Sequence, residues 1–248
     1  MDVSFQLYSA RSLEDQHGFL KTLAGLGYTQ VEGYGGVYDA PEQYREAMDA
    51  AGITMPSGHF AISDLENSFA HQMALAKKLG MQRIYVPYLA VEDRPKESAG
   101  YKAIAQRMSV LGEKIQAEGF EFGWHNHDFE MESLADGGIP MEILLTEAPG
   151  ISWEGDMAWV HYAGADPFEW VNKFGSRLSS VHVKDVAVAG EKADEDGWAD
   201  VGDGVIDWKS LIAEIRAVAP NALIIVEHDK PSDVMRFATT SFKNLTSY

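Results

Sequence analysis

The 248-residue sequence contains no cysteine, which removes disulfides and thiolate metal sites from the candidate chemistry. Any metal must therefore be held by His, Asp, Glu and water. No stretch approaches the ~20 apolar residues needed to cross a bilayer. The opening MDVSFQLYSARSLEDQ carries neither a basic segment nor a long apolar core, so a cytoplasmic protein is expected. Basic residues are scarce, 20 Lys and Arg against 38 Asp and Glu, giving a net charge of −18. So acidic a surface repels nucleic acid and anionic membranes. A small molecule is the expected partner, and homo-oligomerisation is left open. The stretch LYSARS after the first β-rich run holds no glycine, which argues against the phosphate loop of a doubly wound nucleotide-binding sheet.

What is present is an alternation. Eight β-rich runs, at 3–8, 29–34, 53–60, 83–89, 120–125, 151–156, 179–185 and 222–229, are separated by segments of helical character. SLEDQHGFLKTLAGLG reads as a helix capped by its serine and stopped by glycine. DAPEQYREAMDAAG has Pro41 near its start and Gly52 at its end. Ile104, Met108, Leu111 and Ile115 recur as one face of an amphipathic helix. DPFEWVNKFG and DWKSLIAEIRAVAP begin on aspartate caps, and a last helix is expected within 232–245. Strict βα alternation implies parallel strands joined by helical crossovers. Eight such units in ~250 residues have the size of a (β/α)8 TIM barrel. No linker interrupts the chain, so residues 1–248 are expected to form one domain.

Barrels of this kind carry their chemistry at the C-terminal ends of the strands. Those ends supply Glu32, His59, His125, His127, Glu130, Asp156, His182, Lys184, Asp185, Glu227, His228 and Asp229. Five of the eight histidines fall there; His17, His71 and His161 do not. Each residue has an ordinary alternative: His59 as a hydrogen-bonded structural histidine, Glu32 as a loop carboxylate, Lys184 and Asp185 as a surface ion pair. Several carboxylates buried together are costly unless a cation neutralises them. Oxygen plus imidazole donors suit Mn2+, Mg2+, Co2+ or Zn2+, and one divalent ion, Mn2+ first among these, is expected.

The segments GWHNHDFE, WEGDMAWVHYAGADP, SVHVKD, VGDGVIDW and IVEHD together resemble the sugar phosphate isomerase/epimerase family, the xylose isomerase-like TIM barrels. The resemblance spans nearly the whole chain. It implies one divalent metal held by a strand-five Glu, a strand-six Asp, a strand-seven His and a strand-eight Glu. Asp156, His182 and Glu227 match the last three. Strand five departs from the pattern, with His125 where the glutamate belongs. Glu130 is expected to reach back from the loop as the fourth ligand; His125 or His127 is the competing choice.

The resemblance further implies a small carbohydrate substrate and proton abstraction beside a carbonyl polarised by the metal. Glu130 and Glu227 are the first candidates for the base, with His59, His125 and His127 next. Lys184 is expected to stabilise the negative charge that develops. Tyr8, Glu32, Trp124 and Trp159 are expected to contact the sugar, and Tyr34 offers another aromatic wall. Isomerisation or epimerisation is the leading expectation. Elimination from a 3-keto sugar or keto-glycoside comes second, and metal-dependent hydrolysis on the same fold third.

Overall fold

The computed structural model describes residues 2–248. Eight parallel strands close into a barrel: β1 (Ser4–Gln6), β2 (Gln30–Gly33), β3 (Thr54–His59), β4 (Arg83–Val86), β5 (Glu121–His125), β6 (Ser152–Asp156), β7 (Leu178–Val183) and, after a two-stranded ribbon, β10 (Leu223–Val226). Each strand pairs with its sequence neighbour, and β1 closes on β10 through Ser4–Ile225 and Phe5–Val226. The ribbon is antiparallel, β8 (Asp185–Val186) against β9 (Trp198–Ala199), and lies in the connection after β7.

The strands alternate in the way a covered parallel barrel requires. Val31, Ile84, Phe122, Trp124, Trp153, Val181, Val183 and Ile224 point outward and are buried beneath the helices. The helices are α1 (Gln16–Leu26), α2 (Pro41–Ala51), α3 (Ile62–Asn67), α4 (Phe69–Leu79), α5 (Ser98–Ala117), α6 (Pro140–Glu147), α7 (Met157–Tyr162), α8 (Pro167–Phe174), α9 (Trp208–Val218) and α10 (Val234–Leu245). Asp166 and Asp207 cap α8 and α9 as expected, accepting from the amides of Phe168 and Ser210. The cap of α1 differs from expectation. Asp15, not Ser12, accepts from the Gly18 amide, so the helix begins later. A side chain on Gly18 would collide with that carboxylate, a Cβ lying 2.1 Å from Asp15 Oδ2.

The inward positions break with the usual filling of branched apolar side chains. Gln6, Glu32, Ser57, Tyr85, His125, Glu154, Asp156, Ser180 and His182 are all buried and lie on inward-facing registers of the strands. Register pairs such as Gln6–Glu32, Glu32–Ser57, His125–Glu154 and Asp156–His182 set these side chains next to one another. The barrel interior is therefore a polar, hydrogen-bonded stack that leads up to the C-terminal face.

Candidate active site

The stretch after β5 shows how the local sequence builds the site. His125 is the last residue of the strand and points into the barrel. Asn126 turns to the neighbouring strand. Its Oδ1 accepts from Trp153 Nε1 at 2.8 Å and from the Asp156 amide at 3.0 Å, while its Nδ2 donates to the Asp156 carbonyl at 3.1 Å. It thus latches the end of β6 and fixes where Asp156 presents its carboxylate. His127 lines the cavity above. Glu130 closes the loop from below, accepting from the His127 amide at 2.8 Å and from Trp124 Nε1 at 2.9 Å.

Ligand-grade atoms gather in two groups, within each of which they all lie within 4.8 Å of one another: His125, Asp156, His182 and Glu227 in one, His59, His125, Glu154 and His182 in the other. The upper group contains the expected Asp156, His182 and Glu227. Glu130 is in neither group, and the expectation that it reaches back is corrected. Both of its oxygens are engaged by the loop that it organises, and it is His125 that lies with the other three donors. Trp124 is likewise corrected as a sugar contact, because it faces outward, is buried and donates to Glu130.

Beneath the upper group lies a layer of carboxylates and imidazoles. His182 turns Nδ1 toward Glu227 Oε2 at 2.9 Å and Nε2 toward Glu32 Oε1 at 2.6 Å. Glu32 is held in turn by Gln6 Nε2 at 2.8 Å and Ser57 Oγ at 2.5 Å. It is fully buried and does not line the cavity, so it orients His182 instead of touching a sugar. Glu154 Oε2 lies 2.5 Å from His59 Nε2 and 3.2 Å from His125 Nδ1. Glu154 is the residue that sequence reasoning missed. Its signal is period two along SWEGD, which places it on the same strand face as Asp156, one step deeper.

These contacts set the charges. Burial opposes ionisation of Glu32, but His59 and His182 outweigh it and hold the carboxyl well below its usual range. Burial likewise opposes protonation of His59, yet Glu32 and Glu154 push it up to about 10. Burial raises Glu154, and the neighbouring Glu32 charge adds to the rise. Burial, reinforced by Lys184, pushes His127 down to about 3.

Lys184 is fully buried, not a surface residue as its ordinary alternative would have it. Its Nζ lies 2.9 Å from Asp156 Oδ2, 3.2 Å from Glu227 Oε2 and 3.1 Å from Asp229 Oδ2, with the rings of Trp159 and Trp198 flanking it. Burial alone would lower this ammonium; Asp156, Asp229 and Glu227 hold it charged. Asp229 is pushed up to about 6 by burial, against the pull of Lys184. Asp185 is structural: its carboxylate accepts from the amides of Val186, Gly202, Gly204 and Ile206 and so folds the loop VGDGVID beside the site. Gly204 is required there, because a Cβ would lie 2.2 Å from Asp185 Oδ1.

Over this floor opens a cavity of about 1200 Å3. His59, His125, His127, Trp159, Glu227, Asp229, Tyr8 and Tyr34 all line it. The donors fit a divalent cation on two counts. The upper group combines two carboxylates with two imidazoles, a set that borderline and hard divalent ions accept. In the lower group, Glu154 Oε1 is also buried without a hydrogen-bond partner, which a buried polar atom rarely is.

Comparison with known proteins agrees with the architecture. No curated protein matches the sequence significantly. A sugar phosphate isomerase/epimerase from Parabacteroides distasonis superposes with a TM-score of 0.81 at 20% identity, covering 99% of this chain and 93% of the other. The probable 3-DHS dehydratase AsbF from Bacillus anthracis gives a TM-score of 0.80 at 13% identity, with 99% of both chains covered. An IolI protein with a bound zinc atom gives 0.76 at 14% identity, covering 100% of this chain and 96% of the other. At these identities the likeness is one of fold. The model of the xylose isomerase-like TIM barrel family matches residues 20–245, and the chain belongs to that family.

Proposed function

We propose that the protein is a divalent-metal-dependent sugar isomerase or epimerase that works by removing a proton beside a carbonyl. The observation that carries this reading is the meeting of His125, Asp156, His182 and Glu227, from four successive barrel strands, at the floor of a cavity lined by further proton-transfer groups. His125, Asp156, His182 and Glu227 would hold the ion. Bound there, a divalent cation supplies Lewis-acid polarisation of the substrate carbonyl.

The chain's own residues do the rest. Asp229 and His127 stand three strands apart around the barrel, on the β10 and β5 ends, and both line the cavity. They are the pair that takes a proton from one side of a sugar and returns it at another. Lys184, pinned between Asp156, Glu227 and Asp229, places a permanent positive charge behind the carboxylates and favours negative charge developing on substrate oxygens. Gln6, Ser57 and Glu32 keep the His182 ring oriented. Trp159 and Tyr8 wall the cavity. Mn2+ is the first ion to test, with Zn2+, Co2+ and Mg2+ beside it.

A second reading has an observation of its own. Beyond His125 at the ion and His127 in the proton-transfer pair, His59 lines the same cavity, and such a spare imidazole can protonate a leaving oxygen. Elimination from a 3-keto sugar uses such a donor, whereas epimerisation does not. Incubating candidate ketoses with metal-loaded enzyme in D2O tests the shared step. Label is expected at the carbon beside the carbonyl, in recovered substrate or product. Turnover without label at short times overturns proton abstraction and leaves direct hydrolysis.

A further inference from the structure

The cavity is larger than its chemical end requires. At about 1200 Å3 it exceeds the ~300–1000 Å3 of ordinary small-ligand pockets, and its imidazoles cluster at the metal end. From there it runs on across the ends of β3 and β4 to the N-terminal half of α5. That arm is walled by Phe60, Ile62, Tyr88, Leu89, Ala103 and Ile104. Tyr88 marks the threshold: its ring meets the His127 ring edge-on at 5.3 Å, and the residue is 45% exposed. Its exposed face is open to a ligand that enters the arm.

The charges in the cavity also discriminate. Its cations are all engaged. Arg107 forks onto Glu66, Lys230 pairs with Asp196, and Arg11 donates to the carbonyls of Tyr8 and Asp229. Asp64 and Asp93 line the arm, and Arg107 beside them is already committed to Glu66. A phosphorylated or carboxylated tail would meet repulsion there, and a neutral one would not.

We infer that the arm is an aglycone subsite, and that the substrate is a neutral glycoside whose sugar ring sits over His125 and Glu227 while a flat, apolar substituent lies between Tyr88 and α5. This rests on the sugar reading above for the polar end; the arm itself is argued from its own walls. An aromatic face there gains from burial and from stacking on Tyr88.

Equilibrium binding with inert glucosides separates the two claims, because it needs no turnover. In the metal-loaded protein, phenyl β-glucoside is expected to bind about tenfold or more tightly than methyl β-glucoside. Phenyl β-glucoside 6-phosphate is expected to bind more weakly than its neutral counterpart. In Ala103→Trp, which fills the arm from an exposed helix position, and in Tyr88→Ala, which removes the platform, the phenyl-to-methyl ratio should fall toward one. Equal affinities for the two glucosides in the wild type, or a ratio that neither substitution changes, overturns the subsite. Failure of the D2O experiment would leave this binding preference intact and would count against the reaction alone.

Discussion

Glu130 and His125 stand five positions apart in sequence, and the proposed metal site takes the histidine where the glutamate was expected. Chemistry alone favoured the glutamate, since a third carboxylate balances a divalent charge. Geometry favours the histidine, because the turn after β5 spends both Glu130 oxygens on its own amide and indole donors. His125→Ala should therefore lose metal, read by elemental analysis after dialysis, while Glu130→Gln keeps it. The glutamine cannot accept at both ends, so it leaves a buried donor unpaired and should lower stability by about 1–3 kcal/mol in denaturant titrations. Metal retained in His125→Ala and lost in Glu130→Gln would reverse the assignment. Glu32 gives a subtler test. It never touches the ion, yet it fixes the His182 ring. Glu32→Gln should weaken metal affinity by roughly 10–100-fold without abolishing binding. An unchanged affinity would mean that His182 needs no such support.

At the scale of elements, the eight strands were legible because burial on both faces and βα alternation leave strong marks. What the sequence hid were short pieces stabilised only by tertiary contacts. The six-residue helices α3 and α7 and the two-residue strands β8 and β9 carry too few positions to show a period. Glu154 was hidden for a related reason: it sits mid-strand, where an apolar inward residue is the ordinary choice. Asp156, His182 and Glu227, by contrast, stood at strand ends and could be read. The ribbon connection also shows what holds an unreadable segment. Lys192 and Asp196 adopt left-handed backbone there without being glycine, and the segment is pinned by Glu195, which is almost fully buried. Glu195 accepts from Arg236 Nη2 at 2.6 Å and from the Ser232 amide at 2.6 Å, and Arg236 also forks onto Asp200. Although burial opposes it, this set of donors holds the Glu195 carboxyl far below its usual range. A depressed carboxyl contributes stability that is present above the unfolded value, near 4.3, and lost as pH falls through the folded one. Glu195→Gln should thus cost about 1.5–3 kcal/mol at neutral pH, and its difference from the wild type should shrink on acidification below pH 4. A difference that stays constant with pH would show that the ionic contacts contribute nothing.

For the molecule as a whole, closing the barrel concentrates charge of one sign. The fold brings Glu32, Glu154, Asp156 and Glu227 into its interior, with Asp229 beside them, in a chain already at −18. Against these stand the ammonium of Lys184 and the imidazoles of His59 and His182, which the carboxylates hold charged, while burial neutralises His125 and His127. The unfolded chain disperses these carboxylates, so a divalent cation bound at His125, Asp156, His182 and Glu227 favours the folded state alone. Its contribution is RT ln(1 + [L]/Kd), about 2.7 kcal/mol at a hundredfold excess over Kd. At ~2–4 °C per kcal/mol for a chain of this size, the melting temperature should rise by roughly 5–10 °C. Scanning calorimetry of chelator-treated protein, titrated with Mn2+ and separately with Zn2+, measures the shift. The rise should saturate with metal and be absent from the Asp156→Asn, Glu227→Gln double variant. That variant leaves the buried Lys184 with Asp229 as its remaining carboxylate, so it should melt below the metal-free wild type. A wild-type melting temperature unmoved by either ion would show that Lys184, His59 and His182 suffice to neutralise the carboxylates, and the metal-dependent reading would fall with it.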